Sequence, residues 1–155
     1  MANPILAAGQ QAPDFSLLTD TGADLTLSSL RGKTVVLYFY PKDDTPGCTR
    51  EACAFEAQAA DLGGAVVLGV SADSSASHAK FKAKYGLNFT LLVDSGNRIA
   101  TAYGVFREKV MYGKKVNGIV RSTFLIDGTG TIRQIWDGVK VDGHADKVAA
   151  AIAAL

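Results

Sequence analysis

Thr34-Val35-Val36-Leu37-Tyr38-Phe39-Tyr40 is an unbroken run of β-branched, aliphatic and aromatic residues that stops at Pro41. It shows no alternation of polar and apolar positions, so it reads as a strand buried on both faces. A helical pattern follows it. From Thr49 to Leu62, apolar groups recur at Ala52, Phe55, Ala59 and Leu62, the spacing of one helix face. Stepping that stripe back by four reaches Cys48, which places the thiol on the protein side of the first helical turn.

The same alternation continues along the chain. Ala65 to Val70, after Gly63-Gly64, is a second apolar strand run. Residues 74–85 carry Phe81 and Tyr85 four apart and read as a second amphipathic helix. A strand is expected around Phe89 to Val93 and a short helix near Asn97 to Tyr103. Ser122 to Asp127 and Thr131 to Trp136 flank Gly128-Thr129-Gly130, which predicts a hairpin. Val148, Ile152 and Leu155 predict a terminal helix, and Phe15 to Leu18 with Asp24 to Leu27 a small leading hairpin around Thr21-Gly22. This is the thioredoxin-type order: an α/β fold with a central mixed β-sheet flanked by helices, extended by an N-terminal β-hairpin and by the 86–120 segment. With no repeat, linker or low-complexity tract, residues 1–155 read as one domain.

Hydrophobic residues are 48% of the chain and charged residues 20%, with 16 basic against 15 acidic side chains. Without a block of like charge, nothing points to nucleic acid or an anionic membrane as partner. Met1 to Ala12 lacks a basic, then apolar, leader pattern, and no run has the length of a transmembrane helix. The expected compartment is the cytosol, where a disulfide is usually transient and catalytic.

The two cysteines, Cys48 and Cys53, lie in one segment from Tyr40 to Cys53. A thiol at a helix N-terminus meets backbone N–H groups that lack partners within the helix, and these favour negative charge. For any thiol, lowering the pKa from about 8.5 to about 6 raises the thiolate fraction at neutral pH roughly 30-fold, about 2 kcal/mol. Nucleophilicity falls as the pKa falls, so ionisation alone makes a modest reagent. Further donors must hold the substrate and stabilise its leaving group. Thr45, three residues before the thiol, is a candidate donor, and Pro41 a rigid wall at the strand end. In an intact helix, residues five apart have Cα atoms roughly 8.6 Å apart, beyond the roughly 7 Å that a disulfide tolerates. Any Cys48–Cys53 disulfide would require the first turns of the helix to unwind.

The stretch from Tyr38 to Cys53 closely resembles the active-site signature of the peroxiredoxins, with its Pro-x-x-x-Thr-x-x-Cys pattern. The second cysteine five residues on resembles the atypical two-cysteine, bacterioferritin-comigratory-protein or Q-type class. The likeness extends to Ala12-Pro13-Asp14-Phe15, to Gly118 through Asp127, and to Val139 through Ala145. Phe106 departs from it, standing where many relatives carry tryptophan. The resemblance implies that Cys48 is the peroxidatic cysteine, oxidised to a sulfenic acid by a hydroperoxide. Cys53 is then the resolving cysteine, forming an intramolecular disulfide. Thr45 and Arg121 are implied to hydrogen-bond the peroxide and the thiolate, and Pro41 to shield the sulfenate. Thioredoxin or a related dithiol protein is the implied reductant, the unit a monomer, and no metal, haem or flavin is implied.

Other readings of the same residues are plainer. Cys48 or Cys53 could be an inert core thiol, and Thr45 a turn or capping residue. Arg121 competes with Arg50, Arg98, Arg107 and Arg133, and only the resemblance selects it. Glu51 could orient the arginine or simply suit the helix dipole. His78 reads as a surface helix residue, His144 as a helix-start residue and Trp136 as core or rim. A thioredoxin-like disulfide oxidoreductase normally uses Cys-x-x-Cys, not the Cys-x-x-x-x-Cys present. A zinc site would need a His pair, but the histidines are 66 positions apart (144 − 78). If the two cysteines bridge, oxidation lowers helicity; an unchanged far-UV dichroism spectrum in the bridged form would contradict the unwinding.

Overall fold

The computed structural model describes residues 6–155. Part of the leader reading at Met1 to Ala12, and of the 1–155 span, falls on residues 1–5, outside the described residues. Seven strands form one sheet in the order β2-β1-β5-β4-β3-β8-β9. They are β1 (Ser16–Thr19), β2 (Asp24–Thr26), β3 (Val35–Phe39), β4 (Val66–Ser71), β5 (Thr90–Val93), β8 (Ser122–Ile126) and β9 (Ile132–Asp137). β3, β4 and β5 run parallel, while β8 pairs antiparallel with β3 and β9 antiparallel with β8. The leading hairpin β1–β2 joins the sheet through an antiparallel pairing of β1 with β5. The mixed sheet and the N-terminal hairpin follow the order expected from the sequence.

The central strand β3 is buried at all five positions, and its alternate side chains supply two separate cores. Val36, Tyr38 and Tyr40 face helices α1 (Pro46–Ala57), α2 (Ser75–Tyr85) and α4 (His144–Ala153) through Ala52, Phe55, Phe81, Ala145 and Val148. Val35, Leu37 and Phe39 pack on the opposite side with Phe15, Tyr103, Phe124 and Ala100 of the short helix α3 (Arg98–Ala102). The helix after β3 is shorter than its apolar stripe suggests. α1 ends at Ala57, and a 3-10 turn over Ala59–Leu62 carries the chain on, leaving Ala59 exposed while Leu62 is buried. Leu155, counted on the apolar face of the last helix, lies beyond α4 and is exposed.

The 86–120 segment holds a hairpin that its pattern does not announce, β6 (Phe106–Met111) with β7 (Lys114–Ile119). Val110, Met111 and Val116 are exposed, so there is little of the in–out alternation that marks a half-buried strand. The tip residue Tyr112 takes a left-handed φ of 53°, where Asn or Gly is the usual signal. No helix among the described residues is long and apolar enough to cross a membrane.

Phe55 is 1% exposed and stacks 4.9 Å from Tyr38, centroid to centroid. Phe55→Ala is expected to cost about 3–4 kcal/mol of stability by urea denaturation; a loss under about 1 kcal/mol would mean that α1 is not anchored through this ring.

Candidate active site

β3 ends at Phe39, and the chain turns through Pro41–Thr45 into α1. Pro46 occupies the first helical position, where a missing N–H costs nothing. Thr45 is therefore the N-cap and Cys48 the third helical residue. The Cys48 side chain lies in the core beneath α1, 2% exposed. Glu51 follows three residues later on the same helix face, 1% exposed.

Arg121 reaches this pair across sequence separations of 73 residues to Cys48 and 70 to Glu51. The sheet makes that possible. β8 runs antiparallel to β3 with Phe39 opposite Ser122, so the residue just before β8 lies beside the end of β3, where α1 begins. The Arg121 backbone is held there by Val139 N–H donating to its carbonyl. Its Nη1 donates to Glu51 Oε1 at 2.6 Å and its Nη2 to Cys48 Sγ at 3.3 Å. A single guanidinium thus bridges the thiol and the buried carboxyl. Gly47 is part of this fit, because a Cβ there would come within 3.2 Å of Arg121 Nη2.

Burial raises Glu51 to about 7, against the opposing pull of Arg121. Its Oε2 is buried with no hydrogen-bond partner among the described residues. Burial also pulls on the Arg121 guanidinium, but Glu51 and Cys48 more than offset this and leave it above its ordinary value. Tyr38, behind Phe55, is held neutral by burial and then by the nearby Glu51 and Cys48.

Of the five residues singled out in the sequence, the structure brings Cys48 and Arg121 into contact. Thr45 sits at the helix start, but its hydroxyl donates to the Lys42 carbonyl at 2.9 Å and makes no bond to Cys48. Pro41 is an exposed residue of the same turn. Cys53 is half-buried, and both cysteines are free thiols. α1 is continuous from Pro46 to Ala57, so the two cysteines are at the helical separation that a disulfide cannot span.

Glu51 was legible only as an optional partner, although its i+3 spacing from Cys48 is a signal for a shared helix face. The reading of His78 needs correction. His78 is fully buried, not a surface residue, and bonds Asp43 and the Leu92 carbonyl. His144 does open α4, but it is 4% exposed, accepts or donates at Thr123 Oγ1 and lies against Trp136. Burial, then Lys147 and Arg121, lower it to about 4. Trp136 is partly buried at the rim of the core, as expected.

The AhpC/TSA family pattern matches residues 8–135. A putative peroxiredoxin bcp of Coxiella burnetii is 54% identical over 145 residues, covering 92% of this chain and 96% of the relative. The chain is a peroxiredoxin of the AhpC/TSA family. Peroxiredoxin Bcp of Bacillus subtilis is 50% identical to this peroxiredoxin, covering 88% of each chain. Among solved structures, the Xanthomonas campestris bacterioferritin comigratory protein, described for its alkyl peroxide reduction activity, matches with a TM-score of 0.86 at 46% identity over 90% of each chain. A Xylella fastidiosa PrxQ variant reaches 0.91 at 39% identity, covering 97% of this chain and 98% of that one. The fold is the thioredoxin-like fold of these peroxiredoxins, and the chain falls in their Bcp or Q class.

Glu51 also sets an expected pH dependence. Its folded value, about 7, lies above the ordinary 4.5, so the protonated carboxyl favours the folded site. That contribution is fully present below about pH 4.5 and is lost as the pH rises through about 7. Glu51→Gln, neutral throughout, is expected to flatten the fall in stability of the reduced protein over that window. Urea denaturation across a pH series checks this, and an unchanged slope would assign the titration to another group.

Proposed function

We propose that this thiol peroxidase reduces hydrogen peroxide and organic hydroperoxides with Cys48 as the attacking thiolate. The observation that carries the reading is the Arg121 guanidinium, which donates to the Cys48 sulfur and is itself held by buried Glu51. A fixed cation stabilises negative charge on the sulfur before attack and on the peroxide oxygens as the O–O bond breaks. The thiolate takes the terminal oxygen and becomes sulfenic acid; the remaining alkoxide takes a proton and leaves as an alcohol, or as water from hydrogen peroxide. Thr45, at the N-cap three residues before the thiol, is the proposed second donor once substrate competes with the Lys42 carbonyl for its hydroxyl. Pro41 is the proposed outer wall of the turn, limiting further attack on the sulfenate.

Cys53 is the proposed resolving residue. Its thiol attacks the sulfenic sulfur, the S–S bond forms and water leaves. The helical separation of the two cysteines requires α1 to unwind between them before this step. The disulfide is then reduced by a dithiol, proposed to be thioredoxin or a related protein, which returns both thiols. Because both cysteines belong to one chain, the cycle closes within a monomer, the proposed working unit, formed by residues 1–155 as one domain. The reducing bacterial cytosol suits such a cycle.

In a thioredoxin-coupled assay, Cys48→Ser is expected to abolish turnover. Cys53→Ser should consume about one equivalent of peroxide and stall, and continued turnover by Cys48→Ser would move the chemistry away from this thiol.

A further inference from the structure

The Pro41–Thr45 turn is a surface connection, yet its middle residue Asp43 is buried at 8% exposure. Its carboxylate is a collecting point. Oδ1 accepts from the Tyr40 hydroxyl at 2.5 Å, and Oδ2 accepts from Ser77 Oγ at 2.8 Å and lies 2.7 Å from His78 Nδ1. Its backbone N–H donates to Asp73 Oδ2. Burial alone would raise the Asp43 carboxyl, but the bonds from His78, Tyr40 and Ser77 outweigh it and hold it below the usual range. On the other side, His78 Nε2 lies 2.8 Å from the Leu92 carbonyl, an acceptor only. Both ring nitrogens therefore face oxygen acceptors, tying the turn to α2 and to the end of β5. The next residue is fixed from the same helix: Asp44, in a left-handed conformation at φ 57°, accepts from Lys84 and Tyr85.

A buried histidine bonded on both sides can be plain architecture. Its placement argues for more. Apart from the His78–Leu92 bond, which anchors the ring to β5, all of these bonds end on Asp43 or Asp44, in the turn that sets where Thr45 and the first turn of α1 stand. They hold the half of the turn that precedes the segment whose unwinding the disulfide requires. We propose that His78 is a positioning residue for Cys48. Through Asp43 it pins the strand-to-helix turn to α2, so that the thiol, Thr45 and Arg121 meet in one geometry and regain it after each cycle. The inference rests on the peroxidase reading of Cys48. A misplacement of about 1 Å can cost roughly 100-fold in rate, so a smaller displacement is expected to cost on the order of tenfold.

The two ring nitrogens can be separated by substitution. The amide of Asn reproduces the Nδ1 donor facing Asp43, whereas the amide of Gln reproduces the Nε2 donor facing Leu92. Steady-state kinetics with hydrogen peroxide and dithiothreitol give kcat/KM for each substrate independently. The expected result is a roughly tenfold fall in kcat/KM for peroxide in His78→Gln and in Asp43→Asn, recovery to within about threefold in His78→Asn, and an unchanged kcat/KM for dithiothreitol in all three. Equal values for His78→Asn and His78→Gln, or an equal fall in both kinetic constants, would overturn the proposal and leave a structural histidine. If His78→Gln does not fold, Asp43→Asn carries the same comparison. Absence of peroxide turnover in the unsubstituted protein would instead reject the peroxidase reading itself.

Discussion

The antiparallel register between β3 and β8 is the constraint on which the site depends. With Phe39 opposite Ser122, the start of β8 and the end of β3 lie side by side at one end of the sheet's strands. Arg121 then stands at the mouth of the turn into α1, and its guanidinium spans Cys48 and Glu51. A slip of one residue would turn the β8 side chains to the opposite face and carry the arginine away from the thiol. Such a slip is strongly opposed because β8 is buried at all five positions and both of its faces feed the two cores.

The arginine is held by a carboxyl that pays little attention to stability. Glu51 is buried, one of its oxygens has no partner among the described residues, and burial raises it to about 7. An unsatisfied buried oxygen costs roughly 1–3 kcal/mol. The first turns of α1 are therefore not deeply stabilised through this contact, whereas its second half is anchored by Phe55 among the aromatic rings of Tyr38 and His144. The turn before α1 is held separately, with Asp43 and Asp44 bonded to His78 and Lys84 of α2.

Much of the fold was legible in the residues. The β3 run, the stripe at Ala52 and Phe55, and the Gly128-Thr129-Gly130 turn each express a local period or turn preference that the sheet then uses. The β6–β7 hairpin was not legible, because its strands are exposed and its tip carries a tyrosine at positive φ. The split of the 49–62 stripe into α1 and a 3-10 turn also escaped, since apolar spacing continues through the break at Gln58. Within the site, the local bond from the Thr45 hydroxyl to the Lys42 carbonyl is a detail of the turn that the motif does not reveal. His78 was misread because α2 is polar around it, and its partners come from the β3–α1 turn and from β5, which the helix pattern does not reveal.

What the sequence alone determined is local: a buried strand ending at Pro41, a helix beginning beside Cys48, and two thiols too far apart in that helix to bridge. These follow from side-chain periodicity and fixed backbone geometry over a dozen residues. What only the tertiary structure decided is which distant groups meet there. Arg121, one of several arginines, is selected by strand register, and Asp43 and His78 are joined by the packing of α2 against the turn. Both depend on burial across the sheet, where an unpaired charge is too costly to remain, and no local pattern carries that information.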